Sequence, residues 1–108
     1  MLRLGVDGGG TGCRAAVADE GGVLGRGAAG PANIASDPEG ALASILAAAR
    51  AALAEAGLPE TALREVRAGL GLAGANAAGA GRWLGARLPF AAARIETDAV
   101  AAALGALG

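Results

Sequence analysis

Leu2, Leu4 and Val6 alternate with Arg3, Gly5 and Asp7, a period of two that predicts a β-strand over residues 2–7. Residues 13–19 (Cys-Arg-Ala-Ala-Val-Ala-Asp) read as a second strand returning from a glycine-rich turn. Glu20-Gly21-Gly22 is then a hairpin turn into a third strand, Val23–Ala29. After the loop Gly30-Pro31-Ala32-Asn33 the period changes. Ser36-Asp37-Pro38-Glu39 has the form of a capping box with proline at the first helical position. Leu42, Ile45, Leu46, Ala49 and Leu53 follow at helical spacing, until Gly57 and Pro59 stop the helix. Val66, Ala68, Leu70 and Leu72 restore the alternation of a fourth strand. A glycine-rich loop over Ala73–Gly81 leads into a shorter helix holding Trp83, Leu84 and Leu88. A fifth strand over Ala92–Thr97 and a third helix over Ala99–Leu107 complete the order β-β-β-α-β-α-β-α.

A three-stranded meander followed by right-handed crossovers predicts an α/β domain: a mixed five-stranded sheet with helices on both faces. This is the ribonuclease-H-like arrangement, in which sites form at the carboxyl ends of the central strands. Asp7, Ala73-Gly74 and Asp98 all fall at such ends, so they could converge on one cleft.

Composition removes several alternatives. At 108 residues the chain is one domain, or one lobe of something larger. The net charge of −1 offers no basic face, which argues against nucleic acid or an anionic membrane as partner. All nine cationic residues are Arg, so a Walker-type phosphate loop has no lysine to use. The absence of His excludes a His-based triad or a His-ligated metal within this chain. Cys13 stands alone, which fits a reducing cytoplasm; a small residue buried in a strand is its ordinary reading. No stretch has membrane-spanning length without Gly, Arg or acidic interruption. With 20 glycines and abundant alanine, the core must be built of thin side chains. Trp83 and Phe90 are the two aromatics, and Trp83 reads as helix packing rather than a substrate platform.

The candidate chemistry is concentrated in residues 4–14, Leu-Gly-Val-Asp-Gly-Gly-Gly-Thr-Gly-Cys-Arg. An apolar strand ends in Asp7, and three successive residues without Cβ let backbone N–H groups turn toward anionic oxygens. Asp7 at the strand end could hold a hydrated Mg²⁺ beside them. The same spacing also fits a tight glycine-rich turn with an ordinary turn aspartate. Gly69-Leu-Gly-Leu-Ala-Gly74 matches a dinucleotide fingerprint, with Glu96 and Asp98 near the distance of a ribose-binding acid. The alternation running through Gly69 and Gly71 places them inside a strand, and Leu63-Arg-Glu-Val-Arg is too charged for a central parallel strand. Both features count against a dinucleotide site.

Gly5-Val-Asp-Gly-Gly-Gly-Thr11, Gly30-Pro-Ala-Asn33 and Glu96-Thr-Asp-Ala99, in this order and spacing, resemble the actin-like ATPase and sugar-kinase superfamily. More narrowly, the chain is similar to N-acetylglucosamine/glucosamine kinases and the related BadF/BadG/BcrA/BcrD ATPases, over the first lobe of such a protein. The resemblance implies ATP as phosphoryl donor, with Gly8, Gly9, Gly10, Thr11, Gly12 and Cys13 cradling its phosphates. It implies Mg²⁺ held by Asp7 through water. Asn33 would hydrogen-bond sugar hydroxyls, Gly74 would let the amino-sugar substrate approach the backbone, and Asp98 would be the general base. Each of these has an ordinary alternative: Asn33 as a turn residue, Asp98 as the cap of the last helix. Related hairpins usually continue after the threonine with Lys or Arg and then Ser or Thr, where this chain has Gly12 and Cys13. The second phosphate loop and the adenosine pocket belong in this family to a second lobe, so residues 1–108 alone are expected to be inactive.

Two other functions compete. A BadF-type ATPase would activate a partner dehydratase through an iron–sulfur cluster, which needs cysteines besides Cys13. A non-catalytic, truncated module is the other, suggested by the close of the sequence within an apolar helix over Ala99–Leu107. Exposed apolar surface there would invite a homodimer.

Overall fold

The computed structural model describes residues 1–97. Asp98 and the helix expected over Ala99–Leu107 lie outside the described residues. The strands are β1 (Arg3–Gly8), β2 (Cys13–Asp19), β3 (Gly22–Ala29), β4 (Arg67–Leu72) and β5 (Ala92–Glu96). Helix α1 (Pro38–Glu55) joins β3 to β4, and the short α2 (Ala80–Gly85) joins β4 to β5. The sheet runs in the order β3-β2-β1-β4-β5. The meander pairs are antiparallel, whereas β1–β4 and β4–β5 are parallel. The expected mixed α/β sheet is thus present strand for strand.

The two described helices lie on one face of the sheet. Both crossovers pass across the sheet in the same direction, so with right-handed connections α1 and α2 share one face. The two helices touch one another accordingly. Toward them point Leu4 and Val6 of β1, Ala15 and Val17 of β2, and Leu70 and Leu72 of β4, all buried. The opposite face carries Arg3, Gly5 and Asp7 in the same register.

The thin side chains have a specific use. A Cβ on Gly27 would run into the carbonyl of Ala48, and one on Gly25 into that of Ala52. Helix α1 therefore lies directly on β3, with Ala48, Ala49 and Ala52 fully buried beneath it. Overpacking such a contact costs about 1–3 kcal/mol.

Asp37, rather than Ser36, caps α1: its Oδ1 accepts from the Gly40 amide at 3.0 Å, with Pro38 at the first helical position. This agrees with proline at the first helical position, while Ser36 does not serve as the cap. At the other end Leu58 N donates to Leu53 O at 2.9 Å and Gly57 N to Ala54 O at 3.1 Å. This double bond pattern, with Gly57 at φ +74°, is a left-handed helix stop. A short 3₁₀ turn (Glu60–Arg64), not anticipated from the sequence, precedes β4. It also removes the strand that a dinucleotide fingerprint would need, and Gly69 and Gly71 lie within β4 itself. Trp83 packs against the core, with the Arg87 guanidinium 4.1 Å from its ring centre.

Candidate functional site

The glycine hairpin between β1 and β2 is closed by Gly9 N donating to Gly12 O at 3.0 Å. None of its glycines has a positive φ, so their small size, rather than left-handed backbone, is what the hairpin uses. At Gly8 the reason is packing: a Cβ would stand 2.8 Å from Ala32 Cβ and 2.9 Å from Leu72 Cδ2. At Gly9 and Gly10 a Cβ would meet nothing within 4 Å, so the space over them is open. Among the described residues, the amides of Gly10, Thr11 and Gly12 have no protein acceptor. Thr11 and Gly12 line, with Gly9, an open cavity of about 400 Å³ that Asp7 and Arg14 also line. Free amides, uncluttered space and a cation suit an anion with several oxygens.

Two loops are stitched to this hairpin and to one another. Gly9 O accepts from Ala32 N at 2.8 Å, Gly8 O from Ala73 N at 2.9 Å, and Ala73 O from Ile34 N at 3.1 Å. The residues around Asn33 alternate: Ala32 and Ile34 are buried in the core, which turns Asn33 outward between two anchors. Its Oδ1 accepts from Ala35 N at 3.0 Å and Ser36 N at 3.1 Å, the turn role expected of an Asn. Those bonds occupy the carbonyl oxygen and leave Nδ2 as the group able to reach a ligand. Gly74, at φ +84°, sits directly against it: a Cβ there would lie 2.5 Å from Asn33 Oδ1. The structure thus brings Asn33 and Gly74 into contact, and one peptide hydrogen bond links each loop to the hairpin.

Asp7 is half-exposed at the end of β1, facing the cavity. Its cross-strand partner is Arg14, whose Nη2 lies 3.5 Å from Asp7 Oδ2. Arg14 was not among the candidates read from the sequence, although the hairpin register would have found it opposite Asp7. Cys13 also lies at the cavity wall. Its side chain is turned to the helix-covered face, where Sγ contacts Ser44 O at 3.4 Å, and burial pushes its pKa up. The Cys13 side chain thus points away from the cavity, in keeping with the missing side-chain contact expected at this position. Asp98 lies outside the described residues. Among those described, no cluster of His, Cys, Asp or Glu could hold a metal on protein groups alone. The half-exposed Asp7 carboxylate would suit a hydrated Mg²⁺, since that ion keeps several waters and takes one or two carboxylates.

A β3-β2-β1-β4-β5 sheet with a glycine hairpin and two loops at the carboxyl end of its central strands defines a ribonuclease-H-like domain of the actin-like ATPase class. The match to a solved structure bears this out. The crystal structure described as an N-acetylglucosamine kinase from Chromobacterium violaceum superimposes with a TM-score of 0.79 at 28% identity, over 88% of this chain and 34% of that one. The model of the BadF/BadG/BcrA/BcrD ATPase family matches residues 4–107, and the chain belongs to that family. Glucosamine kinase GspK of Vibrio cholerae serotype O1 (strain ATCC 39315 / El Tor Inaba N16961) is 38% identical over 105 residues, 95% of this chain and 36% of that protein. The chain therefore spans about a third of the length of these relatives. No described helix is long and apolar enough to cross a membrane.

Proposed function

We propose that this chain is the phosphate-binding first lobe of an ATP-dependent amino-sugar kinase, acting on glucosamine or N-acetylglucosamine, with a second lobe completing the nucleotide site. The observation that carries this reading is the stitching of the hairpin to the Asn33 and Gly74 loops, which brings its open amides close to Asn33 and Gly74. In this reading the amides of Gly10, Thr11 and Gly12 hold phosphate oxygens, and Gly8 and Gly9 keep the hairpin low enough for them to approach. Asp7 holds Mg²⁺ through water, and the ion neutralises phosphate charge when bound. Asn33 donates through Nδ2 to a substrate oxygen, and Gly74 leaves room for the sugar ring against the backbone. Asp98 takes the hydroxyl proton as the sugar oxygen bonds to the γ-phosphorus and the bond to ADP breaks. Such a transfer needs chiefly positioning and charge neutralisation, which a backbone cradle, one metal and one base can supply.

The test is ADP release by the complete protein with glucosamine, with N-acetylglucosamine and without sugar. Release that depends on one sugar is expected and would name the substrate. Release independent of sugar would contradict the kinase reading in favour of an activating ATPase.

A further inference from the structure

Arg14 combines four features that no other described side chain shares. It stands directly opposite Asp7 in the β1–β2 ladder. It is the one basic side chain lining the hairpin cavity. Its contact with Asp7 is a single 3.5 Å approach, not a two-pronged one. Both side chains are largely in water, at 81% exposure for Arg14 and 56% for Asp7. An exposed ion pair of this geometry is weak and easily exchanged. A guanidinium offers planar, paired donors suited to phosphate oxygens, and such charge-assisted bonds are stronger than the one it now makes. The hairpin has glycine at position 12, so no cation extends from its tip. Asp7, left alone, would repel an incoming polyphosphate.

We infer that Arg14 is a partner-switching clamp: in the free protein it neutralises Asp7, and on nucleotide binding it moves to the phosphate oxygens and releases Asp7 to the metal. This rests on the reading of the hairpin as a nucleotide-phosphate site. The switch makes metal and nucleotide binding mutually supportive, since Arg14 competes with a cation at Asp7 until phosphate draws it away. It also supplies, from the second strand, the side-chain cation that the hairpin tip lacks.

The test measures binding in the complete protein, wild type against Arg14→Ala and Arg14→Gln. ATP affinity is read by calorimetry, and Mn²⁺ affinity without nucleotide by paramagnetic resonance. Both variants should bind ATP about 10- to 100-fold more weakly. They should bind Mn²⁺ alone about 2- to 5-fold more tightly, because the competing cation is gone. Thermal unfolding should be unchanged for so exposed a side chain. Weaker binding of both ATP and Mn²⁺ would overturn the switch, since Arg14 would then be orienting Asp7 rather than competing for it. Unchanged ATP affinity in variants of a wild type that does bind ATP would overturn the clamp alone. A wild type that binds no ATP would overturn the phosphate-site reading, and the clamp with it.

Discussion

Replacing Gly74 by alanine should separate two costs that the loop geometry imposes together. Gly74 adopts φ +84°, where an L side chain pays about 1–2 kcal/mol. A Cβ would also lie 2.5 Å from Asn33 Oδ1, 2.6 Å from Ala35 N and 2.7 Å from Ala35 Cβ. Two of these three atoms belong to the backbone or to a side chain held by two hydrogen bonds, so the Asn33 loop must move, at about 1–3 kcal/mol. Gly79 provides the control. It has nearly the same backbone, φ +78°, but nothing within 4 Å of the added carbon. Gly79→Ala should therefore cost the conformational share alone, and Gly74→Ala about 1–3 kcal/mol more. Urea unfolding of the two variants beside the wild type reads this difference directly, as a shift in midpoint at unchanged slope. Equal destabilisation by the two substitutions would refute the seating of the Gly74 loop on Asn33, and with it the joint site.

Asn33→Asp retains an oxygen for the amides of Ala35 and Ser36 but loses the Nδ2 donor. In the complete protein it should leave stability within about 0.5 kcal/mol while weakening sugar binding at least about 10-fold, measured by calorimetry. Asn33→Ala should lose both, through two broken turn bonds worth about 1 kcal/mol each. Cys13, buried and with its pKa raised by burial, should react with iodoacetamide at least about 100-fold more slowly in the folded chain than in urea. Fast labelling would put the thiol in the cavity after all. The sign for pH follows from the raised pKa: what Cys13 contributes to stability is fully present below the unfolded thiol's pKa. It is lost as pH climbs through the folded value. Asp98→Asn in the complete protein should lower turnover by about 10²–10⁴-fold without loss of fold; near-normal turnover would return Asp98 to a helix-capping role.

Strand alternation made β1 legible because it buries one face: Leu4 and Val6 inward, Arg3 and Asp7 outward. The long helix was equally legible, since Gly57 and Pro59 punctuate its end. At its start Ser36 and Asp37 are both good caps; Asp37 is the one used, which agrees with proline at the first helical position. The side of the sheet taken by the described helices follows from crossover direction, which strand order alone decides and local pattern does not carry. At the site, the motif residues Gly8, Asn33 and Gly74 were found in the sequence. Their mutual contact was not, because it depends on the Gly8–Ala73 and Ala73–Ile34 hydrogen bonds between distant segments. Cys13 belongs to the hairpin by its place in the sequence, and the strand period that begins there turns its side chain into the core. The same period puts Arg14 outward, beside Asp7.

The amide resonances of Gly10, Thr11, Gly12 and Gly74, followed in ¹⁵N spectra of the complete protein, test the central claim most directly. Added Mg·ADP should move Gly10, Thr11 and Gly12, and the sugar whose presence stimulates ADP release should move Gly74 and the Asn33 side-chain amide. Nucleotide shifts that bypass the hairpin, or sugar shifts that leave Asn33 and Gly74 untouched, would contradict a shared phosphate and sugar site at this end of the sheet.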